Sequence, residues 1–469
     1  MKTAVIPIFS GVEGKNILRS GIYKTLANNE GVKIIFLVKK EWYKEYYQKG
    51  INHPRTSFEV VPPYENDFFE RIFKNIKFYL LRSETVDLHR STRYTDGKNR
   101  VRYWISFAAN RFLARRFIRK IVRIFDSILI RRPAIAELYK KLKPDIVFLA
   151  DLFDDQEIAF LREAKRLKIK TMGLINTWDR ITTRWMIRLL PDKYVVFNEI
   201  VKKELFDHDD VLLKNIYISG TVQHDHFVSG KPISRENFYA KIGIPLGNKI
   251  ILYAPLGRAF DRTRMELDQN VIKIFSGLIE NGTLGTDKLT LLVRFHPNDI
   301  VKEEDMPAHP HVVYDRPGIK FQRNLSDAVF ERTRGQNWDM DEAELSHLLD
   351  SLHHAAVVIC YYTSLSIDAA ALDKPIININ FDVKGGRIIS SPHTYYRSEH
   401  YQKAAATGGI KLVANLDEMT KTVKEYLESP ALDHDKRMRL VESQCWKLDG
   451  KSGERIAKFI ISDLETKSA

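Results

Sequence analysis

With only two cysteines in 469 residues, Cys360 and Cys445, the chain has no disulfide framework. Both lie in apolar runs that read as buried, so a reducing compartment is expected. No uninterrupted apolar run is long enough to span a bilayer. The opening stretch, MKTAVIPIFSGVEG, has a short apolar run broken by Pro7 and reads as a first strand, not a signal peptide. Also missing are a Walker A loop, a dinucleotide fingerprint, zinc-finger spacing, an RNP signature and a basic-zipper heptad. Nucleic acid is therefore not an expected partner. No Gly-x-Ser-x-Gly elbow or Cys–His pair points to covalent catalysis.

What is present describes a globular chain, 44% hydrophobic and 29% charged, whose length calls for two domains. The formal charge of +14 is unevenly spread. Between Arg100 and Arg132 stand ten Lys or Arg and one acid, Asp126. Trp104, Ala108, Phe112, Phe117, Ile121, Phe125 and Ile128 recur there at roughly helical spacing. Arg111, Arg115, Arg116, Arg119, Lys120 and Arg123 fill the gaps. A basic amphipathic helix of this kind suits an anionic membrane surface. The plainer expectation is a domain helix with a solvated cationic face.

Along the chain, strands at Thr3–Phe9, Val32–Val38 and Phe58–Val61 alternate with helices, the mark of a βαβ layer. The loop Ser10–Lys15 carries Gly11, Glu13 and Gly14. Its spacing is poor for a phosphate cradle, and it reads as a place where backbone approaches a ligand or another domain. A helical insertion over about 65–143 interrupts the alternation. Strands then resume at Ile146–Ala150, Lys168–Leu174, Lys193–Asn198 and Ile216–Ser219. Ligands collect at the C-terminal ends of such strands, which singles out Trp178–Arg184 with Asp179, Arg180 and Arg184. A plain Asp–Arg structural pair is the simpler account of that loop. Near Gly220 the first domain is expected to end. The second, 221–469, restarts the same grammar and includes the closing helices.

Three strand ends of the second domain share a chemistry. Arg258 follows one, Arg294 and His296 the next, and Tyr362, Thr363 and Ser364 the third. Guanidiniums, an imidazole and hydroxyls above one sheet edge describe a diphosphate site. Asp368, four residues after Ser364, shares its helix face. Helix capping by Ser364 is the simpler alternative. The triplets Asp207–Asp209, Asp339–Asp341 and Asp433–Asp435 read as solvated surface. His224 and His226, placed on a strand, would face one way, but no third ligand stands at metal-binding spacing. No metal and no cofactor are expected.

Tyr253-Ala254-Pro255, Arg294-Phe295-His296-Pro297-Asn298, Tyr362-Thr363-Ser364 with Asp368, and Leu372-Asp373-Lys374-Pro375 occur in that order. With them, residues 220–460 resemble the C-terminal half of the CDP-glycerol glycerophosphotransferases of teichoic-acid synthesis. The ending Asp449-Gly450-Lys451-Ser452 with Glu454-Arg455-Ile456 is also similar to sugar-nucleotide 2-epimerases. The resemblance implies a GT-B fold, two Rossmann-like α/β/α domains facing across a cleft, with donor nucleotide in the second domain and acceptor in the first. It implies an inverting, metal-independent transfer, with His296, Thr363 and Ser364 on the donor phosphates and Arg294 close by. The chain departs from the family twice. Tyr361 stands where the family has an acid, and Trp178-Asp179-Arg180 stands where it has Trp-His-Gly, whose His is the proposed base.

The expectation is therefore a cytoplasmic glycosyltransferase of envelope or surface-polysaccharide assembly, peripheral on the inner face of the cell membrane. Its donor would be a nucleotide-activated sugar, and its acceptor a saccharide or lipid-linked chain. Arg258, Arg294, Thr363, Ser364 and Asp368 would bind the donor, and Asp179 and His296 would be catalytic. Gly11, Glu13, Arg180 and Arg184 would line the acceptor side or cleft. A CDP-alditol phosphotransferase, a UDP-sugar 2-epimerase and a non-catalytic nucleotide-sugar sensor are the alternatives.

Overall fold

The computed structural model describes residues 1–95, 99–256, 265–286, 288–299, 301–302, 304, 306–321, 338–383 and 392–466. It divides into two units. The first holds Met1–Phe9, Asn16–Asp225 and Lys451–Ala469, and the second holds Ser10–Lys15 and His226–Gly450.

The first unit is built on β1 (Lys2–Pro7), β2 (Val32–Val38), β3 (Thr56–Val60), β4 (Ile146–Leu149), β5 (Lys170–Leu174), β6 (Lys193–Val196) and β7 (Ile216–Ile218). All neighbours are parallel, in the order β3-β2-β1-β4-β5-β6-β7. Strands such as β4, IVFL, are buried along their whole length, as helices on both faces require. The insertion is helical: Phe68–Leu80, Glu84–Thr95, Arg100–Leu113, Arg116–Leu129 and Pro133–Leu142. Asp67 and Asn99 cap two of these through the backbone N–H of Glu70 and Arg102.

The closing helix Ser452–Glu465 belongs to this first unit and not, as the sequence suggests, to the second. Gly21 and Gly453 explain this, because a Cβ on Gly453 would stand 2.9 Å from the Gly21 backbone. Asp225 then accepts from the N–H groups of Ser452 and Gly453 at 3.0 and 2.7 Å. Two facing glycines let the helices meet closely, and no local pattern announces such a meeting.

The second unit repeats the plan with β8 (Lys249–Ala254), β9 (Leu289–Arg294) and β10 (Val312–Asp315), a small antiparallel pair β11 (Ile319–Lys320) and β12 (Trp338–Asp339), then β13 (Ala355–Cys360), β14 (Ile376–Ile379) and β15 (Lys411–Val413). The main sheet is parallel, in the order β10-β9-β8-β13-β14-β15. Strand order reverses between β8 and β13, so the turn after β13 lies at a switch point, where open sheets of this kind bind ligands.

Three surface readings change. Asp209 is fully buried, and burial raises its carboxyl to about 6 against the pull of Arg123. Asp339 is fully buried as well, while Asp341 caps the Glu342–His354 helix through the N–H of Glu344. Asp433 accepts from the Tyr426 hydroxyl, and His434 contacts Asp373. His224 and His226 lie on a helix, Val222–Ser229, where residues two apart point in different directions. No cluster of metal-ligating side chains occurs among the described residues.

Candidate functional site

In the second unit the turn Tyr361–Ser364 leaves β13 and enters the seven-residue helix Leu365–Ala371. Ser364 occupies the N-cap position without a side-chain capping bond, and it is exposed. Its hydroxyl is therefore not engaged in capping. Thr363 Oγ1 accepts from the N–H of Leu365 at 3.4 Å. A buried polar floor fixes the turn from beneath. Asn378 donates to the carbonyls of Cys360 and Tyr361, and its own carbonyl accepts from Ser366 Oγ at 3.1 Å and Tyr401 Oη at 2.6 Å. Tyr362 stacks on Tyr395 with ring centroids 4.4 Å apart.

The turn after β9 is equally constrained. His296 is exposed, and its Nδ1 accepts from the N–H of Asn298 at 3.0 Å, which in a neutral ring places the proton on Nε2. Lys320 donates to the Pro297 carbonyl. Gly318, at φ +87°, leaves that carbonyl room, since a Cβ there would come within 2.9 Å of it. Burial pushes the Lys320 ammonium down to about 8, against Asp299 and Glu344.

Because the unfolded chain keeps the ordinary value of 10.5, it binds more protons than the fold does between about 8 and 10.5. Stability should thus rise with pH across that window. Urea midpoints measured across it should climb less steeply in Lys320→Met. An identical slope in both proteins would contradict this.

The loop Ser10–Lys15 belongs to this second unit and connects its two turns. Gly11 presses on Trp338, where a Cβ would stand 2.4 Å from the carbonyl oxygen and 3.0 Å from the ring. Trp338 in turn meets His296 edge to face, with centroids 6.0 Å apart. Glu13 accepts from the N–H and hydroxyl of Ser10 at 2.7 and 3.1 Å, so it is a buried capping-box residue and not a lining one. Two residues on, Lys15 comes into the field of Asp368; the atoms crowding its ammonium lower its pKa and Asp368 pulls it back up. Lys15 was missed in sequence because its loop matches no phosphate motif.

Other expected donor residues are placed differently. Arg294 is 4% exposed and paired with Asp315, which also meets His347 Nε2 at 3.1 Å. Asp315 balances the Arg294 charge through Nη1, while Nη2 is buried with no partner among the described residues. Tyr361 is fully buried in the apolar core, with its hydroxyl against Tyr253. It faces away from any ligand above the sheet. Arg258 lies outside the described residues.

In the first unit, Asp179 begins the short helix Arg180–Thr183. Its carboxylate accepts from Thr177 Oγ1 at 2.6 Å and Thr183 Oγ1 at 3.3 Å. Arg180 pairs with Asp151, just past the end of β4, at 3.1 Å, as the plain Asp–Arg account has it, though with a different Asp. Arg184 is exposed at the helix C-cap.

Two neighbours were not visible in sequence. His89, from the helix Glu84–Thr95, lies in the field of Arg184 and Asp179; burial and then Arg184 lower its pKa, which keeps the ring neutral. Asn176, at the end of β5, holds both amide atoms away from solvent with no partner among the described residues. An orphaned buried amide of this sort asks for a ligand or a water.

Residues 169–462 match the family model described as CDP-glycerol:poly(glycerophosphate) glycerophosphotransferase. No curated protein sequence matches the chain. Among solved structures, Staphylococcus aureus MnaA in a UDP co-structure is 13% identical with a TM-score of 0.55, covering 100% of this chain and 99% of that one. A putative UDP-N-acetylglucosamine 2-epimerase from Listeria monocytogenes is 12% identical at 0.55, over 99% and 97%. The Neisseria meningitidis UDP-GlcNAc 2-epimerase bound to UDP-GlcNAc is 11% identical at 0.53, over 98% and 100%. At such identity these likenesses speak for the fold, two Rossmann-like units of the GT-B class.

Proposed function

The chain belongs to the CDP-glycerol:poly(glycerophosphate) glycerophosphotransferase family, and on that premise we propose that it moves a nucleotide-activated sugar onto a hydroxyl of a cell-envelope or surface polysaccharide. The observation that carries the donor site is the loop Ser10–Lys15, which relates Lys15 to Asp368 and Gly11 to Trp338 beside His296. Lys15, His296 and the exposed hydroxyl of Ser364 would bind the diphosphate. Two cationic or N–H donors and a hydroxyl stabilise the charge that builds on a leaving nucleoside diphosphate, with no metal required.

Asp179 would take the acceptor's proton. The acceptor oxygen then bonds to the donor's reacting carbon as the carbon–oxygen bond to the diphosphate breaks. Asn176 and Arg184 would position the acceptor. The enzyme would work on the inner face of the cell membrane, held there through the Arg100–Leu129 region.

A second reading, transfer of an alditol phosphate from a CDP-alditol, is favoured by the family itself. The burial of Tyr361 strengthens it, since one of the two departures from the family no longer touches the donor. Turnover of CDP-glycerol with no nucleotide sugar accepted would decide for it. Product made without any acceptor would point to an epimerase instead. Lys15→Met should raise the donor Kd by about 10- to 100-fold, the usual worth of a charge-assisted bond. Isothermal titration with the donor that gives the largest thermal shift tests this, and an unchanged Kd would remove Lys15 from the site.

A further inference from the structure

The helix Arg116–Leu129 is packed the wrong way round for a soluble protein. Arg119, Arg123 and Asp126 face inward. Arg119 pairs with Asp210, Arg123 with Asp209 and Asp210, and Asp126 with Arg162 and Arg188. Its opposite side carries Phe117, Ile121, Ile124, Phe125 and Ile128 at helical spacing, all exposed, Phe117 to 60%. The preceding helix Arg100–Leu113 does the same. Ser106 and Asn110 are buried on hydrogen bonds, while Val101, Trp104, Ile105 and Phe112 are exposed. Two successive helices that bury polar groups and expose an apolar crest call for an apolar medium. The solvated cationic face expected from sequence forms only in part: Arg119 and Arg123 turn inward, while Arg115, Arg116 and Lys120 stay exposed.

Between the inward face and the crest runs a third face of the same helix, formed by Arg116, Lys120, Arg123, Ile124 and Ser127. It walls a cavity of about 750 Å³ whose far side carries Lys165 and Arg166. Leu189, Leu190 and Leu212 complete its apolar lining, and Asp210 is its one acid. Several of these cations have partners: Lys165 has Asp192, and Arg166 has Glu163 and the carbonyls of Ser127 and Ile130. Lys120 has no ion-pair partner among the described residues, and Arg116 is 3.9 Å from Asp210 with 73% of its side chain exposed. Ile124 belongs to both the cavity and the crest. The cavity thus opens along the apolar surface with two cations available at its edge.

We infer that this cavity takes the phosphate headgroup of an anionic bilayer phospholipid while the crest sinks among its acyl chains. Charge complementarity selects that occupant. The crest is flanked by Arg100, Arg102, Arg115 and Arg116, and Asp126, the only acid from 100 to 132, is turned inward. Exposed Trp104 suits the headgroup level. No helix among the described residues is long and apolar enough to cross a membrane, so the helices lie on it. The inference rests on the membrane location proposed above and adds to it a lipid-phosphate site.

The test is co-sedimentation of the full chain with sucrose-loaded vesicles of phosphatidylcholine, with and without phosphatidylglycerol. Wild type should bind the phosphatidylglycerol vesicles better. Arg116→Glu/Lys120→Glu should lose that preference by at least about tenfold yet keep the weaker phosphatidylcholine binding. Ile121→Asp/Phe125→Asp should lose both. Circular dichroism and unfolding midpoints matching wild type qualify each variant. Wild-type preference in the charge-reversed variant would overturn the headgroup site. So would release by millimolar inorganic phosphate, which would make the cavity a free-anion site. Vesicle-independent self-association abolished by Ile121→Asp/Phe125→Asp would make the crest a protein interface and overturn the inference too. Donor binding is read without vesicles, so failure here leaves the transferase reading standing, and the reverse also holds.

Discussion

Asp179→Asn is expected to lower kcat by ~10²–10⁴-fold while leaving donor affinity unchanged, the range a positioned general base contributes. Asparagine keeps the size; its one carbonyl oxygen can accept from Thr177, and its NH2 can donate to the Thr183 hydroxyl, the two groups that hold the carboxylate now. What it loses is the capacity to take a proton. His89 makes the experiment discriminating. Its imidazole is held neutral by burial and by Arg184, so it is itself able to act as a base. If the proton goes to Asp179, His89→Gln should cost far less than Asp179→Asn. The reverse order of losses, measured as single-turnover rates at saturating donor, would move the base to His89. That outcome would restore a histidine to the role the family gives one, supplied from the insertion and not from the Trp178–Arg180 loop.

Asp126→Asn is expected to destabilise the first unit by ~3–5 kcal/mol. Asp126 and Glu70, 1% and 0% exposed, are sandwiched between Arg162 and Arg188. Arg162 reaches Asp126 at 2.6 Å and Glu70 at 3.0 Å, and Arg188 reaches them at 2.8 and 2.7 Å. Burial would weaken the Arg188 charge, but Asp126 and Glu70 more than offset this and hold its pKa above the ordinary value. Removing one carboxylate charge leaves two buried guanidiniums sharing Glu70, with Asp155 at 3.3 Å from Arg188 as partial compensation, and the loss comes from the cation left under-paired. Denaturant unfolding that resolves the first unit measures it. A change under ~1 kcal/mol, the range of exposed pairs, would show that water already screens the network. The helix Arg116–Leu129 would also loosen, so the vesicle preference should fall with stability in this variant.

Much of the second unit was readable in advance. Val357–Cys360 is β-branched and apolar, and Thr363 and Ser364 follow where a strand yields to a helix; the structure has β13, the turn and the helix in those places. The His296–Asn298 turn was equally plain, because Pro297 restricts it locally. Less legible were the residues whose role depends on distant partners. Arg294 looked like a phosphate fork because strand position was known and Asp315 was not. Tyr361 looked like a donor-selecting change, yet alternation along the strand end sends it into the core. Lys15 and His89 lie in segments with no motif and reach their sites only through the fold.

The basic insertion shows the division most clearly. From sequence alone came a helix with one apolar and one cationic side, since a 3.6-residue period is a local property. Which side faces solvent is not local. It is set by carboxylates and guanidiniums far apart in the chain, such as Glu70 and Arg188, 118 residues apart. Burying those charges together is tolerable only when each is paired, and pairing turned Arg119, Arg123 and Asp126 inward while Arg116 and Lys120 stayed outside. The sequence determined two α/β units, a polar turn above the second sheet and an amphipathic insertion. The tertiary structure decided which charges are framework and which face a ligand, because desolvation and pairing depend on neighbours that only folding supplies.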